Sequence, residues 1–415
     1  MPKTVVPVAS TTVATVLTTT QIPQTPTTVS STVSITTTVL TTTPPSTTPI
    51  PTVTLPLLCV TGNTSVGARV PDDGICTYLV FDRVRAKNQT YAKGLLAGDT
   101  IMQGNKIMRR FMDAVSGLKK TVPMLAMNLH YWDETIKVLK HSDVLGPYIR
   151  EGIKGIGIPN YKEELDVYKA GSILELKLSI LRNLLQSQKH NGVILFAGLL
   201  LTTASHPDAV ARIVKHSISL LRHVSLYIVF AHSPRQDAYG SGCVRRPMSS
   251  FRTSTLGDHS LQSVTDAIDI VKGLGARNAT YFLSLTMGIH RFLPQRGWVE
   301  DMNKLESTGC TMHFDSYEKV CKNPMVEGSV AEYKDDAIHY DYDKKARIWR
   351  TYDTLDTIRK KIKRAYKELA GLPFGWAAFY IEMDDWNGAC PNSTKNKPQR
   401  LLELIKPLKK QLPSG

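Results

Sequence analysis

The sequence predicts an α/β fold: a (β/α)8 TIM barrel with a small insertion between strand seven and its helix, preceded by a disordered Thr/Pro-rich arm. Three observations carry this. Eight short apolar runs recur along the chain, helical patterns lie between several of them, and one stretch, 288–352, interrupts the alternation. Continuous apolar runs suit strands buried on both faces, and strands that alternate with helices form a parallel sheet, which eight strands can close.

The arm comes first. Of residues 1–55, 21 are Thr, Pro is frequent, and only Lys3 is charged, so no packed core can form there. Runs such as TTTPPSTTP suit an O-glycosylated, mucin-like stalk, with a bare flexible linker as the alternative. Residues 56–412 are then expected to form the barrel domain. Its strands are LLCV (57–60), YLVF (78–81), VPMLAMNL (122–129), IKGIGI (153–158), GVILFAGLLL (192–201), SLYIVFA (225–231), YFLSLTM (281–287) and AAFYIEM (377–383). Helices are expected over 173–187, 206–224 and 260–275 from their apolar spacing. The clearest helix precedes the last strand: Leu355, Ile358, Ile362, Ala365 and Leu369 repeat at helical spacing, with Asp353 placed to cap it and Asp356 to favour its first turn. The charges of RKKIKRAYKE (359–368) read as the solvated face of that helix. The stretch 288–352, holding Cys310, Cys321 and YDYDKKARIWRTYD, is read as an inserted subdomain. An open doubly wound sheet is the competing architecture, but the chain has no GxGxxG and no P-loop.

Six cysteines (Cys59, Cys76, Cys243, Cys310, Cys321, Cys390) without CxxC or zinc spacing favour disulfides over metal ligation. Four sequons, at Asn63, Asn88, Asn278 and Asn392, agree with an extracellular, secreted glycoprotein. Met1 is followed by Pro and Lys rather than by a signal-peptide apolar core, a conflict that an incomplete or misassigned start would resolve. No apolar run is long enough to span a membrane. The net charge of +15 points to anionic glycans, acidic proteins or anionic membrane surfaces as partners. No cofactor, metal or nucleic-acid partner is expected, and a monomer is.

With the strand order in place, FGWAAFYIEMDDWNGAC (374–390) resembles the eighth strand of family 18 glycoside hydrolases, the chitinases and chitinase-like lectins. WRTYDTLDTIRKKIKRA (349–365) is similar to that family's approach to the strand, and LLCV followed by GICTYLVFD to its first two strands. The resemblance implies a Cys59–Cys76 bridge. Cys310–Cys321 is plausible within the insertion, which leaves Cys243 with Cys390.

The resemblance also implies substrate-assisted hydrolysis, in which a Glu ending strand four protonates the glycosidic oxygen. In KGIGIPNYKE the four acidic positions of the family motif become Lys154, Gly157, Pro159 and Tyr161, so no catalytic residue is expected. A tyrosine, with an ordinary pKa near 10, is a poor proton donor beside a tuned carboxylic acid. HNGVILFAG (190–198), the alternative register, offers no acid either. Two routes to residual hydrolysis stay open: Glu163 or Glu164 swinging in, or a Glu382–Asp384 carboxylate pair. The leading expectation is a catalytically inactive, lectin-like protein binding a chitin-type or N-acetylglucosamine-containing glycan at the C-terminal rim, through Tyr131, Trp132, Tyr161, His232, His290, Phe379 and Glu382. His130 beside Tyr131 reads as a packed loop residue or a cleft-lining one. The second expectation is a protein- or glycosaminoglycan-binding module using basic segments 344–367 and 395–410.

Overall fold

The computed structural model describes residues 56–62, 68–84, 106–141, 143–161, 167–199, 224–232, 249, 279–294, 310–322, 329–333, 337–343, 348–369 and 374–405. The expected arm, the expected helices over 206–223 and 260–275, Cys243, Glu163 and Glu164 lie outside them, as do Asn63, Asn88 and Asn278.

Eight parallel strands close into a barrel: β1 (Leu57–Thr61), β2 (Tyr78–Val84), β3 (Val122–Met127), β4 (Gly155–Tyr161), β5 (Ile194–Leu199), β6 (Leu226–Val229), β7 (Thr280–Thr286) and β13 (Phe374–Phe379). The order around the barrel is β1-β13-β7-β6-β5-β4-β3-β2, so the last strand closes against the first, with Cys59 opposite Ala378. Each expected apolar run contributes one strand.

Alternation along each strand divides the core into two layers. Inward-facing Leu58, Val60, Val80, Met124, Phe196, Leu226, Ile228, Phe282, Ala377 and Phe379 fill the barrel. Outward-facing Leu57, Leu79, Ile156, Ile158, Leu283 and Trp376 belong to the second layer. Helices cover that layer: α1 (Lys106–Val115) with Met108 and Phe111, α2 (Trp132–His141) with Leu139, and α4 (Val167–Ser187) with Leu174 and Leu178; α3 (Gly146–Arg150) is a short turn before β4. Burying each such large apolar side chain stabilises the fold by about 1.5–3 kcal/mol.

After β7 the chain leaves the barrel and builds a five-stranded antiparallel sheet, ordered β10-β11-β12-β8-β9. Its strands are β8 (Gly288–Pro294), β9 (Cys310–Ser316), β10 (Ser329–Tyr333), β11 (Ile338–Asp343) and β12 (Ile348–Thr351), and α5 (Tyr317–Lys322) follows β9. Inside it, Arg350 donates from Nε and Nη2 to both Asp341 oxygens at 2.7 Å, and the Tyr352 hydroxyl donates to the same carboxylate at 3.0 Å. Burial pushes the Tyr352 phenol far up, and the neighbouring Asp341 charge pushes it further.

The chain returns through α6 (Leu355–Glu368), the helix expected from the 355–369 pattern. Its cap differs from expectation: Thr354 caps it through a reciprocal exchange with Thr357, while Asp353 turns inward to pair with Lys361 and accept from the Thr357 hydroxyl at 3.0 Å. Lys361 is therefore not part of a solvated face. It is 2% exposed, and burial pushes its ammonium pKa down against the opposing pull of Asp353. A short α7 (Gln399–Glu403) packs on α6, where Arg359 reaches Glu403 at 2.9 Å.

Two disulfides are described. Cys59–Cys76 joins β1 to the residue preceding the turn into β2, with Cα atoms 6.0 Å apart, as the resemblance implies. The second joins Cys321 to Cys390, Cα atoms 4.9 Å apart, and replaces both the Cys310–Cys321 and the Cys243–Cys390 pairings. Cys310 opens the seven-residue strand β9, whereas Cys321 lies on α5 beyond its far end. A strand of that length spans about 20 Å, well past the roughly 7 Å that a disulfide bridges.

Tyr281, facing the outer layer of β7, has its phenol pushed up to about 12 by burial. An unfolded tyrosine ionises near pH 10. The native preference for the neutral phenol thus contributes stability that is complete below pH 10 and is lost as pH rises from 10 towards 12. The urea midpoint is expected to fall across that window, and Tyr281→Phe to flatten the fall measurably.

Candidate functional site

The C-terminal ends of the barrel strands form the mouth where this fold class places its chemistry. At β4 the inner positions are Gly155, Gly157 and Pro159. A Cβ on Gly157 would stand 2.0 Å from the Phe196 carbonyl oxygen and 2.6 Å from its ring; one on Gly155 would stand 2.4 Å from the Met124 sulfur. Phe196 and Met124 thus occupy the space that acidic side chains on these positions would need. Lys154 is exposed, ahead of the strand, with its backbone N–H donating to Pro123 at 2.9 Å. Tyr161 ends β4 opposite Leu199; its side chain is outside the described residues.

At the adjacent wall, β13 stops four residues earlier than the 377–383 expectation. Tyr380 adopts the left-handed conformation, φ 57° and ψ 46°, and Ile381–Met383 form a 3-10 turn. Such a conformation in a non-glycine residue costs about 1–2 kcal/mol and persists only where packing enforces it. Here Tyr380 and Met383 turn into the inner apolar cluster beside Phe379. Strand alternation consequently ends before Glu382, and the expected Glu382–Asp384 pair does not form as two in-pointing strand residues.

Asp384 is engaged elsewhere. Arg400, 1% exposed, donates from Nε to Asp384 Oδ1 at 2.7 Å, from Nη1 to the Asp353 carbonyl at 2.9 Å and from Nη2 to the Met287 carbonyl at 2.6 Å. Its guanidinium carbon also lies 3.7 Å from the centre of the Tyr317 ring. Asp385 accepts the backbone N–H groups of Ala389 and Cys390, each at 2.8 Å, fixing the turn that presents Cys390. Both carboxylates hold structure. Glu382 is buried in the 3-10 turn just before them.

The structure brings His232, Phe379 and His290 into one run of rings. His232 lies 5.1 Å from Phe379 and Phe230 4.9 Å from Phe379; Phe379 meets Tyr380 at 6.2 Å, Tyr380 meets Phe314 of β9 at 4.7 Å, and Phe314 meets His290 of β8 at 5.8 Å. His232 Nδ1 is 2.6 Å from Ser284 Oγ, which also accepts the Ala231 N–H at 2.8 Å. Apart from partly buried Phe314, this run is closed to solvent: His232 is 0% exposed, Phe379 and His290 1% each. Phe379, one of the expected glycan-binding residues, is thus covered, and His290 sits in the inserted sheet rather than on the rim.

Trp132 is turned away from the mouth. It is buried in the outer layer with the Lys177 ammonium 4.9 Å over its ring, because it opens α2 on the face that meets α4. Tyr131 is half-buried in the 3-10 turn after β3, and the side chain of His130 lies outside the described residues. Asn392 is exposed at φ 63°. Among the described residues no three His, Cys, Asp or Glu side chains gather so as to hold a metal ion.

Arg400 and Asp82 escape the sequence reading. Arg400 sits in a basic stretch, 395–410, that reads as solvent-facing, and only the acids at 384–385 hint that a buried cation must answer them. Asp82 is buried at the end of β2, where the alternation of YLVFD could have placed it.

No protein-family model and no characterised protein sequence matches the chain. Solved structures share its fold. YKL-39, crystallised in the presence of chitooligosaccharides, superposes with a TM-score of 0.60 at 14% identity, covering 86% of this chain and 100% of the other. Catalytic domain 2 of the group II chitinase of Ostrinia furnacalis gives 0.54 at 14% identity, covering 85% and 95%. A family 18 N-acetylglucosaminidase from Paenibacillus barengoltzii gives 0.54 at 9% identity, covering 85% and 98%. The likeness is one of fold: a closed parallel barrel of the kind these chitinases and chitinase-like proteins have.

Arg400→Met leaves the Asp384 carboxylate buried without its cation and is expected to lower unfolding free energy by about 3–5 kcal/mol. Adding Asp384→Leu should recover much of that loss, as read from urea midpoints of the two variants.

Proposed function

We propose that this chain is a non-hydrolytic, chitinase-like extracellular protein that holds an N-acetylglucosamine-containing glycan at the C-terminal rim of its barrel, with residues 1–55 as a separate stalk. The observation that carries the reading is the filled interior at β4: Gly157 has no room for a carboxylate beside Phe196. General-acid catalysis needs a protonated group within hydrogen-bond reach of the leaving oxygen. Two carboxylates that follow the last strand are already engaged: Asp384 is bound to Arg400 and to the Leu401 N–H, and Asp385 to two backbone N–H groups.

Glycan binding is supported by the fold shared with YKL-39, which was crystallised in the presence of chitooligosaccharides. Tyr131 is the reachable ring among the described candidates, with Tyr161 at the end of β4 beside it in strand order. Disulfides accord with an oxidising compartment, and exposed Asn392 with a glycan acceptor. The covered mouth favours a second reading, an anionic partner held on the outer surface. Exposed Lys363, Lys367, Lys395 and Lys397 would contribute to it, whereas buried Lys361 and Arg400 would not.

Titration of the full chain with chitotetraose separates the two. The glycan reading expects binding that persists at about 0.5 M salt, where exposed charges are strongly screened, and that weakens roughly two- to tenfold on Tyr131→Ala. No chitotetraose binding, together with heparin binding that vanishes at that salt, would leave the surface reading in its place.

A further inference from the structure

We propose that the inserted sheet is a lid latched over the barrel mouth by the Cys321–Cys390 disulfide, so that cutting this bond uncovers the ring platform Phe379–Tyr380. The assignment of that platform to N-acetylglucosamine-type sugars rests on the function proposed above; the latch itself does not.

Four contacts hold the sheet to the mouth, and they cluster on one segment, 314–321. The Phe314 ring lies 4.7 Å from Tyr380 and packs against the inner barrel cluster. It reaches there only because residue 288 is glycine: a Cβ on Gly288 would stand 1.8 Å from the Phe314 ring tip. Tyr317 stacks beneath the Arg400 guanidinium, and Glu318 accepts from Asn387 Nδ2 at 2.5 Å. Cys321 then closes the segment covalently onto Cys390, whose N–H is held by Asp385. Phe314 is only partly buried although its partners Phe379 and Tyr380 are fully so, the asymmetry expected of a cover resting on a platform.

The two described disulfides differ in access. Cys59 and Cys76 are sealed in the outer layer, whereas Cys321 is half-buried on a six-residue helix at the surface. Exchange with an external dithiol requires access to a sulfur, so the latch bond is the one that opens. The dithiol supplies two electrons and two protons: the Cys321–Cys390 bond becomes two thiols, and the dithiol becomes its own disulfide. With the covalent tie gone, the described contacts that still hold this segment to the mouth are those of Phe314, Tyr317 and Glu318.

Hydrogen exchange followed by mass spectrometry on the full chain tests this, comparing the parent with Cys321→Ser/Cys390→Ser and, separately, with Phe314→Ala, which keeps the disulfide. The expected result is at least tenfold faster exchange over 379–386 in the double variant and a smaller rise for Phe314→Ala, with β3 to β5 unchanged in both. Should the double variant fail to fold, the parent protein reduced with dithiothreitol, which reaches the half-buried Cys321 but not the sealed Cys59–Cys76 pair, takes its place. Unchanged exchange over 379–386 would overturn the latch. Faster exchange accompanied by tighter chitotetraose binding supports both latch and glycan platform; faster exchange with no chitotetraose binding supports the latch and overturns the glycan reading.

Discussion

The mouth of this barrel is organised by one buried cation. Arg400 reaches it from beyond the last strand and binds, with a single guanidinium, the Asp384 carboxylate, the carbonyls of Met287 and Asp353, and the Tyr317 ring. These four partners come from the end of strand eight, the point where the chain leaves the barrel, the point where it returns, and the inserted sheet. The planar, multiply donating head suits that task as an ammonium would not. Desolvating a charge is expensive unless each donor is met, and here they are met by groups from separate segments. The exit into β8 and the seat of α5 are tied together at that convergence.

The same constraint bears on chemistry. Carboxylates in the eighth-strand segment read in the sequence first as a structural hydrogen-bonded cluster, with a catalytic pair as the alternative. In the fold they are the counter-charges and turn acceptors of a structural knot. At β4, Gly155 and Gly157 lack side chains, and Met124 and Phe196 from the flanking strands pack over them. Packed interiors tolerate little added volume. The described structure has a closed barrel, an inserted sheet and an aromatic run between them.

Much of the scaffold was legible because its signals are local. Doubly buried strands read as apolar runs, and α6 as a helical repeat. The Cys59–Cys76 bridge is read from a family resemblance rather than from the chain alone. What stayed hidden is non-local. Nothing near Cys321 names Cys390 as its partner 69 residues away. Lys361 and Arg400 lie in basic stretches whose composition suggests solvent, yet each answers a buried aspartate contributed by another turn of chain. Thr354 took the cap because Asp353 was drawn to Lys361. The end of β13 was misplaced because a left-handed tyrosine leaves no mark in a hydropathy pattern, and with it went the expected orientation of Glu382. Trp132 reads as a cleft aromatic from its neighbours, and only the packing of α2 on α4 turns it outward.

The proposal that this barrel holds a glycan without hydrolysing it is tested most directly by turnover. Purified full-length chain incubated with chitohexaose should release no reducing ends above buffer at any pH from 4 to 8. Release that Glu382→Gln or Glu163→Gln abolishes would contradict the account and identify the missing acid.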